Sequence, residues 1–463
     1  MQLTAPAFLL IFLPVSLLLT LPVPKKHRAK ALAAISALWY VLANRESPLG
    51  VAAVFLLLLF AYAMVLPRPE QMPRIRLFFG TVLPLSLLLA ARLLAEYGNA
   101  AFRYPYGLTF VVLAAISATV DRVNGKCDAP RSFFDFAVYL LFFPLLFLGP
   151  LLHFRHFQER LDAAAPSLER FSIGVRLYMG GTVKYLAISA VLFRSLIQII
   201  TYSEGLHYLI ALLLPLLAFG GFWFLLAGGT DISRGVAYMY GFAYPKSHRV
   251  GFLAREPFRL VFGAYHALYV YLKHYVLEPL GRRCRGRLCR VFSLVLLLVL
   301  YALFFRTRPE ALLFLLPLLL FLLPAALWPR LSRSPRAPFW TLIGVCGCVC
   351  LSPFLLAISI EEPLELLGLL GTLGDEVSIY QFHYVFSAVL NTRYLLISLL
   401  LAMIFLPMSY YRGALERRLR GGWLTAFRYV ELGLLFGGFL LTLVYFLPQF
   451  PAYADVPYLN FYL

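Results

Sequence analysis

Long apolar runs separated by short basic clusters constrain this chain more than any other feature of its sequence. The first run covers residues 3–23, and others lie near 30–44, 50–66 and 77–95. Their lengths approach or reach the roughly 20 apolar residues that a helix needs to cross a bilayer. A soluble fold could not bury this much apolar surface, because 61% of the 463 residues are hydrophobic. The sequence therefore predicts an all-α polytopic integral membrane protein.

The basic residues indicate how the spans are oriented. The formal net charge is +19, and most Lys and Arg residues lie between apolar runs, as the positive-inside rule describes. Nucleic-acid binding is disfavoured, because no basic face with interleaved aromatic residues forms a separate domain. Charges follow the first run instead of preceding it, so we expect a retained helix with its N-terminus outside. The loops expected inside are 25–30, 68–76, 246–249, 282–290 and 411–420.

Neither the cysteines nor the histidines show a strong metal-binding pattern. Three cysteines alternate within one apolar span, and two others lie in a basic loop without a following histidine pair. His153 and His156 are three residues apart and could share one face of an amphipathic helix over 153–161. Without a carboxylate at ligand spacing, an interfacial helix is the preferred interpretation of that segment. We predict no metal ion and free thiols.

Polar residues gather after the apolar run 207–228, which leads into Gly-Gly-Thr-Asp at 228–231. The carboxylate of Asp231 is costly next to hydrocarbon, so we expect it to be paired, solvated or functional. A polar helix over 258–279 follows, and it carries His266, Lys273 and His274 among Tyr, Leu and Val. The chemistry of the protein is expected in this part of the chain.

Three segments resemble a known family: 103–125, 133–150 and 228–245. In the first, five residues fall in register with the family pattern PLGISFFTFQAISYLVDVYRG, namely Pro105, Gly107, Ser117, Asp121 and Gly125. The second resembles FALYLAFFPQLVAGPI, and its prolines and glycine predict a broken or re-entrant helix. The chain is thereby similar to bacterial membrane-bound O-acyltransferases, which include the membrane proteins of alginate O-acetylation and cell-wall D-alanylation.

The resemblance reaches nearly the whole chain, so residues 1–463 are expected to form one domain. It implies about eleven spanning helices, plus re-entrant or interfacial helices, around a central tunnel. In that family an acetyl-like acyl group, carried by an acyl-CoA or acyl carrier thioester, crosses the membrane for O-acylation of a cell-surface or secreted polysaccharide. A bacterial inner-membrane location, a periplasmic or extracellular acyl-transfer partner, a surface glycan system and no bound cofactor are implied as well.

The chain departs from the family at its histidines. Anchoring the polar helix on Pro279 places Tyr265 on the family histidine, and a one-residue shift brings His266 there. The second signature, Leu-Trp-His-Gly, falls near 303–307, where Phe305 and Arg306 are nearest the histidine position. An arginine cannot act as a base, although it can hold a phosphate or a carboxylate.

The predicted catalytic residues are His266 and, as an anion-holding group, Arg306. Asp231, Lys273 and His274 are predicted to line the substrate tunnel. Because polar side chains in membrane helices turn inward, we expect His266, Asp231 and Arg306 to share a central cavity. Three interpretations remain: an active acyltransferase using His266 or His274, a degenerate relative acting as a scaffold or acyl channel, and an unrelated polytopic transporter.

Overall fold

The structure is a computed structural model of the chain. The described residues are 3–5, 7–98, 103–149, 151, 153–202, 207–247, 257–283, 286–305, 310–327, 346–347, 349–357, 364, 368, 371, 384 and 392–446. They are predominantly helical, and none of them forms a β-strand. The all-α prediction is confirmed.

The helices are numbered here in chain order over the described residues. They are α1 (Phe8–Thr20), α2 (Lys25–Ala43), α3 (Pro48–Val65), α4 (Pro73–Tyr97), α5 (Leu108–Val123), α6 (Phe133–Leu141), α7 (Leu145–Leu148), α8 (Phe154–Asp162), α9 (Leu168–Thr182), α10 (Ala190–Tyr202), α11 (Tyr208–Met239), α12 (Pro257–Phe262), α13 (His266–Leu272), α14 (Glu278–Arg283), α15 (Arg287–Phe305), α16 (Glu310–Leu313), α17 (Leu316–Leu327), α18 (Thr392–Arg418) and α19 (Gly422–Leu441). Short π-helical segments join α9 to α10 and α13 to α14.

Six helices in the described part of the chain are long and apolar enough to cross a membrane. They are Pro48–Val65, Pro73–Tyr97, Leu168–Thr201, Tyr208–Met239, Arg287–Phe305 and Gly422–Phe446. Three shorter apolar helices accompany them, at Phe8–Thr20, Leu316–Leu327 and Arg393–Phe405. The chain is therefore a polytopic membrane protein, and the span count of about eleven stays a prediction.

The contacts of the chain divide between two compact units. The first consists mainly of residues 1–178 and 230–246, and the second of 179–229 and 247–461. Long helices α9 and α11 each contribute to both units. The expectation of one domain over 1–463 stays a prediction.

In the first unit, the segment after α5 enters the protein and turns back. Helix α6 begins at Ser132, whose hydroxyl accepts a hydrogen bond from the Asp135 amide at 3.1 Å. The helix stops at Phe142, and α7 starts after Pro144, which has no amide to continue the α6 hydrogen bonds. Gly149 is extended and leads out of α7. The predicted broken, re-entrant segment is confirmed as a helix break at this place.

The amphipathic helix α8 packs its apolar side on protein. Phe154 and Phe157 are fully buried, and their rings lie 5.0 and 5.3 Å from the ring of Tyr139 in α6. The helix predicted over 153–161 is therefore present. Because its large apolar side chains fill the first unit, they are not available to enter the lipid.

Side-chain contacts give the first unit two distinct ends. At one end, Arg122 donates to the Val65 carbonyl, Arg28 donates to the Ala164 carbonyl, and Arg131 pairs with Asp162. The start of α2, the loops at 66–72 and 124–132, and the segment from α8 to 167 therefore gather at this basic end. At the other end, Asn44 exchanges hydrogen bonds with the backbone of Tyr106. This arrangement agrees with the alternation of loops predicted from the basic clusters.

Two pairs of glycines allow close helix contacts. In the first unit, a Cβ at Gly235 of α11 would lie 2.7 Å from the Gly174 carbonyl oxygen of α9. In the second unit, a Cβ at Gly228 would lie 2.8 Å from the Gly181 carbonyl oxygen. Gly174 and Gly181 are seven residues apart along the chain, and so are Gly228 and Gly235, which places the two glycines of each helix on one face. Small residues of this kind let membrane helices approach backbone to backbone.

The structure differs from two expectations about helix limits. The polar helix predicted over 258–279 is interrupted at 263–265, where Tyr265 leaves the helical region with φ −128° and ψ 72°. Tyr265 is fully buried, with its ring 5.7 Å from that of Phe304, so packing overrides helix continuity there. The segment 411–420, which was expected to be a basic loop, is mostly helical. Helix α18 continues through good helix formers to Arg418.

Cys127 provides a test of the packing at the basic end. Its side chain is buried, and burial, with a smaller contribution from the Asp121 carboxylate, raises the pKa of the thiol to about 12. Since maleimides react with the thiolate, we expect Cys127 to stay unlabelled by N-ethylmaleimide at pH 7.5. The measurement uses a variant in which the other five cysteines are replaced by alanine.

The matched control for this labelling experiment is Asp128→Cys in the same background without Cys127. Asp128 is exposed next to Cys127, so that thiol should react within minutes. Denaturation in detergent should make Cys127 equally reactive. Rapid labelling of Cys127 in the folded protein would contradict the described packing. Among the described cysteines, Cys127, Cys346 and Cys350 are free thiols.

Candidate functional site

An aspartate and a histidine meet at the basic end of the first unit. The Nδ1 atom of His153 lies 3.2 Å from Oδ2 of Asp121. The Asp121 side chain is almost completely buried at 4% exposure, whereas the His153 side chain is 24% exposed. The pair thus joins a buried carboxylate to an imidazole that can be reached from the surface of the unit.

The last turns of α5 hold the carboxylate in position. Four residues before Asp121, the Ser117 hydroxyl lies 2.8 Å from the Tyr139 hydroxyl of α6. The backbone amide of Lys126 donates to the Asp121 carbonyl at 2.8 Å and closes the end of the helix. Ser117 and Asp121 lie on one face, as residues i and i+4 of a helix do. That face meets α6 and the start of α8.

His153 is positioned by the helix that follows it. It is the N-cap residue of α8, with an extended backbone at φ −65° and ψ 146°. The next residue, Phe154, and Phe157 one turn later are fully buried against α6. Because these two rings anchor α8, the backbone that carries the imidazole is fixed relative to Asp121.

Asp231, predicted from its cost next to hydrocarbon, is buried within α11. Its Oδ1 atom lies 3.7 Å from Nη1 of Arg234 one turn later, and Arg234 also donates to the Tyr244 carbonyl at 3.2 Å. The carboxylate is therefore paired, which is one of the outcomes expected from the sequence. The Gly-Gly-Thr-Asp segment is helical, since α11 runs through it to Met239.

The histidines of the polar segment lie in the second unit. His266 is the first residue of α13, is partly exposed, and lies 6.0 Å from the Tyr269 ring. His274 Nδ1 lies 3.2 Å from Glu278 Oε2, and both side chains are partly exposed. Lys273 is exposed. Tyr265, the alternative match to the family histidine, is fully buried.

The predicted cavity shared by His266, Asp231 and Arg306 stays a prediction. Arg306 lies outside the described residues, and the other two belong to different units. The predicted tunnel roles of Lys273 and His274 are likewise untested by their described contacts.

The second unit also contains an apolar cavity between α11, α12, α15 and α17. Its lining includes Phe222, Trp223, Leu260, Leu298, Tyr301 and Leu318. These side chains offer mainly hydrocarbon contacts. The cavity is therefore not a place where a proton would be transferred readily, in contrast to the Asp121–His153 pair.

The sequence patterns did not predict that Asp121 and His153 form a pair, although each residue lies in a segment that they singled out. The sequence patterns assign Asp121 to a motif that resembles the family and His153 to an interfacial helix. The signal was the re-entrant segment between them. A segment that enters and returns brings 121–132 and 153 to the same end of the unit. The two groups could then be expected as neighbours.

Comparison with known proteins shows that parts of the chain are similar in sequence to one group of enzymes. No family model matches the sequence. A probable alginate O-acetylase from Pseudomonas fluorescens is 26% identical over 199 residues, which are 42% of this chain and 39% of that protein. One from Pseudomonas syringae pv. tomato is 25% identical over 199 residues, 42% and 38% of the two chains. One from Azotobacter vinelandii is 34% identical over 80 residues, 17% and 16% of the two chains.

The matched segments thus span less than half the length of these relatives. The chain is a divergent membrane protein similar to the membrane-bound O-acyltransferases.

Proposed function

We propose that this protein is a membrane-bound O-acyltransferase that transfers an acetyl-like acyl group to hydroxyls of a cell-surface or secreted polysaccharide. The observation that carries the proposal is the similarity to several proteins named probable alginate O-acetylase. The polytopic helical fold supports it, since a membrane-embedded chain suits transfer between two aqueous sides. The Asp121–His153 pair supports catalysis over a purely structural role.

The donor proposed is an acyl-CoA or an acyl carrier thioester, with no cofactor bound by the chain. Lys25, Lys26 and Lys30 are exposed at the basic end of the first unit. Positive charge there favours a donor that carries phosphate groups. We further propose a bacterial inner-membrane location, with a periplasmic or extracellular acyl-transfer partner and a surface glycan system that receive the acyl group.

Two other functions remain from the sequence: a degenerate scaffold or acyl channel, and an unrelated transporter. The register of the motifs and the similarity to the alginate O-acetylases favour the acyltransferase over the transporter. A scaffold would need neither a buried carboxylate nor an imidazole next to it. A measurement of acyl transfer distinguishes these functions, because only the acyltransferase would form the ester.

Deletion of the gene in the parent cell should remove O-acyl groups from its surface or secreted polysaccharide. Alkaline release of acetate from the isolated polysaccharide, together with proton NMR of its O-acetyl signals, measures the loss. A plasmid carrying the wild-type chain should restore it. Membrane vesicles containing the chain should transfer label from [14C]acetyl-CoA or an acetyl carrier thioester to the polysaccharide. Unchanged acylation in the deletion strain and no transfer by vesicles would refute the proposed function.

A further inference from the structure

We propose that Asp121 and His153 form the acid–base pair of the transfer reaction, with His153 as the catalytic residue and Asp121 as its positioning residue. This inference rests on the proposed function. It assigns the chemistry to the basic end of the first unit, outside the polar segment in which the sequence placed the catalytic histidine.

The hydrogen-bond geometry defines the role of each group. Oδ2 of Asp121 lies 3.2 Å from Nδ1 of His153. A carboxylate at Nδ1 fixes the tautomer in which that nitrogen carries a proton, so the reacting proton moves at Nε2. The same carboxylate stabilises the imidazolium that forms when Nε2 takes a proton. An aspartate–histidine pair of this kind is the base half of many acyl-transfer sites.

The two residues differ in exposure in the way that suits a catalytic base and its positioning residue. The Asp121 side chain is 4% exposed, so its interaction with the imidazole is little screened by water. The His153 side chain is 24% exposed, which leaves room for a substrate to reach it. A purely structural ion pair would not need one partner at the surface of the unit.

The surrounding contacts preorganise the imidazole. Tyr139 lies beside the pair: its hydroxyl is 2.8 Å from that of Ser117, and its ring packs on Phe154 and Phe157. The residue that orients α5 thus also anchors α8. Rigid support of this type keeps catalytic groups within the small distances that acid–base catalysis tolerates.

The pair also supplies a histidine, which the chain lacks at the position of the family's downstream signature. The position of the family's downstream histidine falls near Phe305 and Arg306. Neither side chain can accept a proton at neutral pH. The neutral imidazole of His153 can accept a proton at Nε2.

In the proposed step, an acceptor hydroxyl gives its proton to Nε2 of His153 while its oxygen attacks the carbonyl carbon of the acyl thioester. The new bond is between that oxygen and the carbonyl carbon. The bond that breaks joins the carbonyl carbon to sulfur, and the leaving thiolate takes the proton from the imidazolium. The products are an ester and a free thiol, and His153 returns to its neutral form.

The test measures transfer from [14C]acetyl-CoA, or from the acetyl carrier thioester if that donor supports wild-type activity, in vesicles. His153→Ala is expected to lower kcat about a hundredfold to ten-thousandfold with little change in KM, as removal of a general base does. Asp121→Asn should lower kcat strongly, and Asp121→Glu should recover part of it. The control is His27→Ala, an exposed histidine of the first unit outside α8, which should retain wild-type transfer.

Chemical rescue separates catalysis from a structural role. His153→Gly should regain transfer when free imidazole is added, because the side chain that the variant removes is partly exposed. Loss of transfer without rescue by imidazole, together with a lowered Tm, would assign a structural role and overturn the inference. Retained transfer in His153→Ala would overturn it as well, and loss in His266→Ala instead would place the base in α13. An inactive wild type with both donors would refute the proposed function itself.

Discussion

Replacing Gly235 by leucine is expected to prevent the first unit from packing correctly. A Cβ at this position would lie 2.7 Å from both the Gly174 carbonyl oxygen and the Tyr178 amide nitrogen. Both neighbours are backbone atoms of α9, so they cannot rotate away as a side chain could. Overpacking of this kind typically costs about 1–3 kcal/mol, and a leucine between two helix backbones belongs at the upper end.

Thermal unfolding in detergent, followed by fluorescence-detected size exclusion, measures this effect. Gly437→Leu is the matched control, because Gly437 also lies inside an apolar helix and a Cβ there meets no atom within 4 Å. The control should keep the wild-type Tm and elution profile. Equal behaviour of the two variants would mean that α9 and α11 do not approach closely at Gly235.

Replacing Arg76 by methionine is expected to loosen the end of α3. The Arg76 side chain donates to the Met64 carbonyl at 2.6 and 2.9 Å and to the Arg68 carbonyl at 2.7 Å. Met64 lies in the last turn of α3, where carbonyls lack partners within the helix. Methionine keeps most of the volume but donates nothing, so part-buried acceptors lose their partners, at a cost of about 0.5–1.5 kcal/mol for each hydrogen bond.

The control for Arg76→Met is Arg74→Met, which removes the same charge from an exposed position two residues earlier. Of these two methionine variants, only Arg76→Met should lower the Tm. Arg76→Lys should lower the Tm less, since its ammonium replaces some of the guanidinium donors. Protease cleavage within 66–72 should increase in parallel. A similar decrease in Tm in Arg74→Met and Arg76→Met would show that stability depends on the positive charge of this segment and not on the hydrogen bonds of Arg76.

Much of the fold follows from local sequence patterns. Apolar runs gave the helices α2 to α5 at nearly their observed positions, because length and hydropathy act within each segment. The break between α6 and α7 followed from Pro144 and Gly149, which act on their own backbone. The bend before α13 did not, because it depends on where the buried ring of Tyr265 packs against Phe304. A contact between distant segments depends on both segments and on the path of the chain between them, so it cannot be predicted from either segment alone.

The same distinction applies to the candidate site. Asp231 was expected to be paired, solvated or functional, since the cost of a carboxylate next to hydrocarbon is a local property. Its partner Arg234 lies one helical turn away and was available from the sequence. Asp121 and His153 are 32 residues apart and meet only through the re-entrant path of the chain. A search for polar residues within apolar stretches could not find them, because both lie at the edges of such stretches.

The arginines at the basic end also give the first unit a defined response to membrane voltage. Arg28, Arg76 and Arg122 hydrogen-bond to backbone carbonyls, which are neutral and leave the positive charges in place. Moving one such charge across a potential of about 100 mV costs about 2.3 kcal/mol, so three cost about 7 kcal/mol. Since each arginine also holds two segments together, the unit could not invert without breaking those contacts. In an energised membrane, the contacts that shape the basic end thus also fix its sidedness.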